Sequence, residues 1–267
     1  MGAVPGYTNP ATALGPPERM TGDGFAPQVV TPFQPAFLAS ELVSIGMGGQ
    51  LVLAFDHDVV DDPRNPFGID LLVFSNAFYT DVGGGSGVVG SLFGEGGAVA
   101  VSADGLAWTT VPLVVADGAF PTLGFSDVLP FQTTPGRVQT DFTKPVDPGL
   151  RGAALAGLDW PSLVAAYDGA GGGAGIDLAS VGLAAIRFVR ISGGASFGVS
   201  PEVDAIADVA PRPTEGPLGD LDRNGVVDAA DLAILLGAWS LSGPADLDGS
   251  GLVDAADLAI LLGGWTS

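Results

Sequence analysis

Residues 220–231 and 246–257 repeat one acidic pattern at an offset of 26 residues: Asp-Leu-Asp-Arg-Asn-Gly-Val-Val-Asp-Ala-Ala-Asp, then Asp-Leu-Asp-Gly-Ser-Gly-Leu-Val-Asp-Ala-Ala-Asp. Each copy runs into Leu-Ala-Ile-Leu-Leu-Gly and then a tryptophan, Trp239 or Trp265. Calcium is a hard ion that takes six to eight oxygens, and an EF-hand-type loop supplies them from positions 1, 3, 5, 7, 9 and 12 around a glycine at position 6. In the first copy those positions are Asp220, Asp222, Asn224, Val226 (through its carbonyl), Asp228 and Asp231, with Gly225 at the turn. In the second they are Asp246, Asp248, Ser250, Leu252 (again a carbonyl), Asp254 and Asp257, with Gly251 at the turn. Two calcium ions are therefore expected, and since four carboxylates crowd each loop, metal is expected to drive its folding. Ser250 is a poorer ligand than Asn224, so the second site is expected to bind more weakly. Leu232, Leu235 and Leu236, and then Leu258, Leu261 and Leu262, recur at helical spacing and give each following helix an apolar stripe.

A loop closed by aspartate where most EF-hands carry glutamate, duplicated and followed each time by a short helix, resembles the dockerin family over residues 219–267. The resemblance implies a small α-helical dockerin-like module with two EF-hand-type calcium loops. It also implies docking to a cohesin-type partner through the tenth and eleventh loop positions and the helix after them. Here those positions are Ala229-Ala230 and Ala255-Ala256, where the family often has hydroxylated residues, and only residues 240–245 join the copies. Self-association through the same module is the alternative partner.

From about residue 28 to 210, apolar runs alternate with turn residues, in a chain holding 42 glycines and 21 prolines. That texture predicts an all-β sandwich. Strands are expected at 50–55, 69–79, 98–102, 107–113, 185–192 and 203–209, with a hairpin turn at Asp104-Gly105. A short helix is expected at 159–167, opened by Asp159 and an early Pro161. Residues 81–97, 117–150 and 168–177 read as long loops. The proline-rich segment 209–218 reads as a semi-rigid linker, dividing a module of residues 1–208 from one of 219–267. Phrases such as Ser44-Ile45-Gly46, Asp70-Leu71-Leu72-Val73-Phe74, Val101-Ser102-Ala103-Asp104-Gly105 and Ile186-Arg187-Phe188-Val189-Arg190-Ile191 resemble bacterial cell-surface modules of the galactose-binding-like, jelly-roll kind. That resemblance implies a glycan or protein ligand for the sandwich.

Thirty acidic residues stand against nine basic ones, for a net charge of −21, and Lys144 is the only lysine. Nucleic acid is excluded as a partner, because phosphate neutralisation needs clustered Lys or Arg. No apolar run reaches the ~18 residues of a membrane span. Cysteine is absent, which removes disulfides and thiolate chemistry. The opening residues carry no signal-peptide pattern, and an extracellular or cell-surface location is expected from the calcium repeats.

No catalytic residue is assigned. His57, the only histidine, lies in Phe55-Asp56-His57-Asp58 and reads as solvated. A further cation site joining Asp70, Glu202 and Asp204 has only its oxygen ligands in its favour. Gly85 to Gly90 spells a dinucleotide fingerprint without the strand and helix it requires. Trp108 and Trp160 could stack on sugars, although tryptophan in a sandwich is usually core. The expectation is a secreted, calcium-binding, non-catalytic modular protein. Its alternatives are a polysaccharide-degrading enzyme carrying the same handle and a surface-layer component.

Overall fold

The structure is a computed structural model that describes residues 6–22, 26–194, 200–209, 217–221, 226–241, 243, 245–248 and 250–266. Two compact units result, Met1–Ala210 and Pro211–Ser267.

The first unit is an antiparallel β-sandwich. Its strands are β1 (Met20–Gly22), β2 (Pro27–Val29), β3 (Val43–Ser44), β4 (Gln50–Val60), β5 (Leu71–Ser75), β6 (Phe78–Asp81), β7 (Val89–Phe93), β8 (Gly96–Ser102), β9 (Thr109–Asp117), β10 (Ala174–Ile176), β11 (Ala185–Ser192) and β12 (Glu202–Asp208). One four-stranded sheet has the order β10-β5-β12-β3 and the other β4-β11-β8-β9, with β1-β2 and β6-β7 as separate two-stranded pairs. Alternation places the core: in β4, Leu51 and Leu53 point inward while Gln50, Val52 and Ala54 face out. They meet Val99 and Val101 of β8, Val189 and Ile191 of β11, and Leu71, Val73 and Val203 of the opposite sheet in one buried cluster. Between Ile186 and Phe188 the β4–β11 register jumps, from Val59 to Ala54, so residues 55–58 bulge out of the ladder. His57 stands on that bulge.

Every residue of β5 is buried. Leu71 and Val73 belong to the inter-sheet core, whereas Leu72 and Phe74 pack on Phe142, Ala205 and Val209 on the other face. That second face is covered by residues 117–173, which sequence reading assigns largely to loops. Instead they hold a second core of Phe120, Leu123, Phe125, Val128, Leu163 and Tyr167 among others. Helix α1 (Trp160–Tyr167) lies there, where Asp159 caps it by accepting from the Ser162 N–H.

The expected strand at 69–79 is two strands, broken at Asn76-Ala77, and the expected loop at 81–97 contains β7. Asp81 closes the β6–β7 connection by accepting from the N–H groups of Gly83, Gly85 and Val88, so the glycine run Gly83-Gly84-Gly85 is a built turn. The Asp104-Gly105 turn joins β8 to β9, with Gly105 at φ 73° and Asp104 Oδ1 accepting from Leu106 and Ala107.

The second unit corrects the expectation of an α-helical dockerin-like module with two EF-hand-type loops. The chain is mostly antiparallel sheet, and among the described residues two of the three short α-helices, α2 (Ala229–Gly237) and α3 (Ala255–Gly263), lie in this unit. Among the described residues no helix enters either loop, so a helix–loop–helix hand is absent; Gly219 at φ 115° and Gly243 at φ 148° precede the loops where an entering helix would run. Asp222, Asn224 and Gly225 lie outside the described residues. A core of five buried residues, Val227, Leu235, Ala245, Val253 and Leu261, holds the unit together.

Candidate metal site in the C-terminal repeats

The two copies are locked together reciprocally. The Ser240 N–H donates to the Val253 carbonyl at 2.9 Å, and 26 residues on, the Thr266 N–H donates to the Val227 carbonyl at 3.0 Å. The eighth loop residue of each copy is thus paired with the segment that follows the other copy's helix. Duplication in sequence has become an approximate two-fold relation in space.

In the second copy, Asp246, Asp248 and Asp257 bring carboxylate oxygens within 4.8 Å of one another. Backbone amides hold this cluster in place. The Ser250 N–H donates to Asp246 Oδ1 at 3.0 Å and to Asp248 Oδ1 at 2.9 Å, and the Gly251 N–H donates to Asp246 Oδ2 at 2.7 Å. Asp257 is fully buried and works hardest. Its Oδ1 accepts from Leu247 at 2.7 Å and Asp248 at 3.1 Å, and its Oδ2 accepts from Asp254 at 2.7 Å. The Asp254 amide, followed by those of Asp248 and Leu247, holds the Asp257 carboxyl below the usual carboxylate range.

Asp254 is the N-cap of α3, accepting from the Ala256 N–H at 2.7 Å, and with Asp257 it completes a capping box. The ninth and twelfth loop positions therefore staple the helix start. The Ser250 hydroxyl donates to the Leu252 carbonyl at 3.2 Å, so these two expected ligands face each other.

The first copy repeats the arrangement where it is described. Asp231 is fully buried, accepting from Leu221 at 2.6 Å and from Asp228 at 2.9 Å, and Asp228 caps α2 through Ala230. Asp220 and Val226 are described as well, while Asp222 and Asn224 are outside the described residues.

The oxygen chemistry of the second loop fits a hard divalent cation. Three carboxylates converge, and the Leu252 carbonyl and Ser250 hydroxyl lie in the same turn.

In the sandwich, Asp70, Glu202 and Asp204 do not come together. Asp70 is fully buried and accepts from Asp62 N–H, Asn65 Nδ2 and Leu178 N–H, beside Asp61 and Asp177. Asp204 accepts from the Glu18 N–H, and burial, with Glu18 and Glu41 nearby, pushes its carboxyl up to about 8. Glu202 sits with Glu95 and Asp117, and burial followed by the Glu95 carboxyl pushes it up to about 8. Asp70 is unlike either of them in its partners, and the strand register keeps it at the far end of β5 from Ser75, beside which β12 begins.

His57 is exposed, with Nδ1 2.6 Å from Asp56 and Nε2 3.0 Å from Asp208. Those two carboxylates raise its pKa, Asp56 first, and no hydroxyl nucleophile shares its hydrogen bonds. Trp160 is buried and its Nε1 donates to the Val128 carbonyl at 2.7 Å, which makes it core. Trp108 is covered by the Arg190 guanidinium, 4.4 Å from the ring centre. Neither ring is an open sugar platform.

No helix among the described residues is long and apolar enough to cross a membrane. No protein-family model matches the chain, and neither a curated protein nor a solved structure is significantly similar to it.

Proposed function

We propose that this chain is a secreted or surface-displayed modular protein whose C-terminal repeats bind calcium and attach or assemble a β-sandwich recognition module. The observation that carries the reading is the convergence of Asp246, Asp248 and Asp257 within 4.8 Å on a loop without a basic side chain among its described residues. The duplicated loop pattern and its resemblance to dockerin repeats support two calcium ions and a protein partner of cohesin type. The alanine pairs at the tenth and eleventh loop positions support self-association as an alternative. Loops of this kind outside cells work at calcium dissociation constants of about 0.1–1 mM, which suits an extracellular setting. A glycan remains the proposed ligand class of the sandwich.

Titration calorimetry of calcium into the full chain tests the reading, with Asp246→Asn plus Asp248→Asn as the control. Saturable binding that loses a site in the variant is expected. Identical heats in the two proteins would remove calcium from the second repeat. Light scattering with and without calcium then separates self-association from attachment to another protein.

A polysaccharide-degrading enzyme with the same handle is the second reading. The observation on its side is a pair of acids, Glu95 and Glu202, on a pocket that also carries Tyr7, Phe37 and Phe93. Oxygens of both acids lie within 4.8 Å of each other and of a third, Asp117. Glycosidase pairs work at about 5–5.5 Å or about 6.5–9.5 Å between carboxyl groups, and activity assays on polysaccharides with Glu95→Gln and Glu202→Gln test this reading.

A further inference from the structure

The same three acids carry an inference of their own. Glu95 stands in the turn between β7 and β8, Asp117 is the last residue of β9, and Glu202 is the first residue of β12. Since β9 and β12 belong to opposite sheets, the cluster lies where strand ends of the two layers meet. The Glu95 N–H donates to Asp117 Oδ2 at 3.1 Å, which fixes the Asp117 carboxyl within the cluster. Asp117 is 1% exposed, and its other oxygen, Oδ1, has no hydrogen-bond partner. Glu202 is 9% exposed. Among the described residues no ion pair places a lysine or arginine against any of the three.

A buried carboxylate oxygen without a partner is costly, and in native proteins such groups are few and commonly mark a bound ion or water. Three acids crowd one strand junction, and among the described residues no protein cation answers them. A cavity of about 270 Å³ is lined by Glu95 and Glu202 together with Asn76, Tyr7, Phe37 and Phe93.

We propose that Glu95, Asp117 and Glu202 form a divalent-cation site, of calcium type, that ties the two sheets together at the floor of this pocket. Carboxylate oxygens supply part of a shell of six to eight, and the cavity leaves room on one side for water or for the oxygens of a ligand. Magnesium is the poorer occupant, because it demands a tight octahedron and gives up its waters reluctantly. The site is independent of the C-terminal repeats, so either can fail without the other.

Calorimetric titration of calcium chloride into the full chain tests it, comparing the wild type with Asp117→Asn plus Glu202→Gln. A loss of one calcium per chain is expected in the double variant, with the site removed by Asp246→Asn plus Asp248→Asn unaffected. Glu95→Gln is the second variant, since the main-chain N–H of residue 95, and not its side chain, holds Asp117; a tenfold or greater weakening of the same site is expected. Circular dichroism reports whether each variant keeps the wild-type sheet signal. An unchanged stoichiometry and affinity in both variants would overturn the site, whatever the repeat variant shows.

Discussion

Among the described residues, nineteen buried residues of the sandwich form one apolar cluster, while in the repeat unit only five do. The two units also use their acids in opposite ways. Asp204 and Glu202 are carboxyls that a large core has desolvated, and their ordinary charge is suppressed. Asp231 and Asp257 are equally buried, yet each is wrapped in backbone N–H donors that favour the charge. A large core can carry buried acids at a cost. A small one depends on them, because its loops have little else to hold their backbone amides.

Asp257→Ala sharpens that contrast most. It leaves the amides of Leu247, Asp248 and Asp254 without their acceptor, at about 1–3 kcal/mol for each buried donor, against a five-residue core. The helical signal of the repeat unit is expected to vanish while the sandwich melts at its wild-type temperature, as read by circular dichroism and scanning calorimetry. A sandwich transition that fell with it would break the comparison.

Matched core truncations come next. Leu261→Ala and Leu72→Ala each remove a fully buried leucine, at about 2–5 kcal/mol. The first is expected to melt the repeat unit at room temperature. The second is expected to lower the sandwich transition without abolishing it, and equal tolerance in urea titrations would contradict the difference in core size.

The pH responses of the units are expected to run in opposite directions. Asp204, faced by Glu18 and Glu41, keeps its proton in the folded state up to about 8, whereas an unfolded aspartate releases it near 3.8. The sandwich therefore holds more protons folded than unfolded across that window and loses stability as pH rises through it. Asp257 is shifted down, so its contribution is present above pH ~4 and is lost as pH falls further. Urea midpoints from pH 4 to 8 should drift downward for the sandwich, and Asp204→Asn should flatten the drift. A repeat unit that gained stability on acidification would reverse the sign assigned to Asp257.

His57→Gln should change least. Both of its carboxylate partners are on the surface, where water screens such pairs, and no measurable shift of the melting temperature is expected.

Much of the sandwich was legible because period-two alternation is a local signal. Leu51 and Leu53 announce β4, Asp104-Gly105 the hairpin, and Asp159 with Pro161 the start of α1. The layer from 117 to 173 was not legible, since Phe120, Leu123, Phe125 and Val128 follow neither helical nor strand period and are placed by long-range bonds such as Trp160 Nε1 to the Val128 carbonyl. Strand β7 was hidden by the glycines around it. In the repeats, a letter-level ambiguity intervened. Positions 9 and 12 of an EF-hand-type loop have the same spacing as an N-cap and its N3 residue, so Asp254 and Asp257 satisfy both patterns, and only the hydrogen bonds show the cap. Glu95 and Asp117 lie 22 residues apart, and Glu202 arrives from the opposite sheet; no local pattern joins them.

Scanning calorimetry of the full chain with calcium against chelator tests the coupling of metal to the repeat unit most directly. Calcium should raise the transition of the repeat unit progressively with concentration, by RT ln(1 + [Ca]/Kd) in free energy, and Asp246→Asn plus Asp248→Asn should remove the rise. A repeat-unit transition indifferent to calcium at millimolar concentration would contradict the assignment of Asp246, Asp248 and Asp257 as a calcium site.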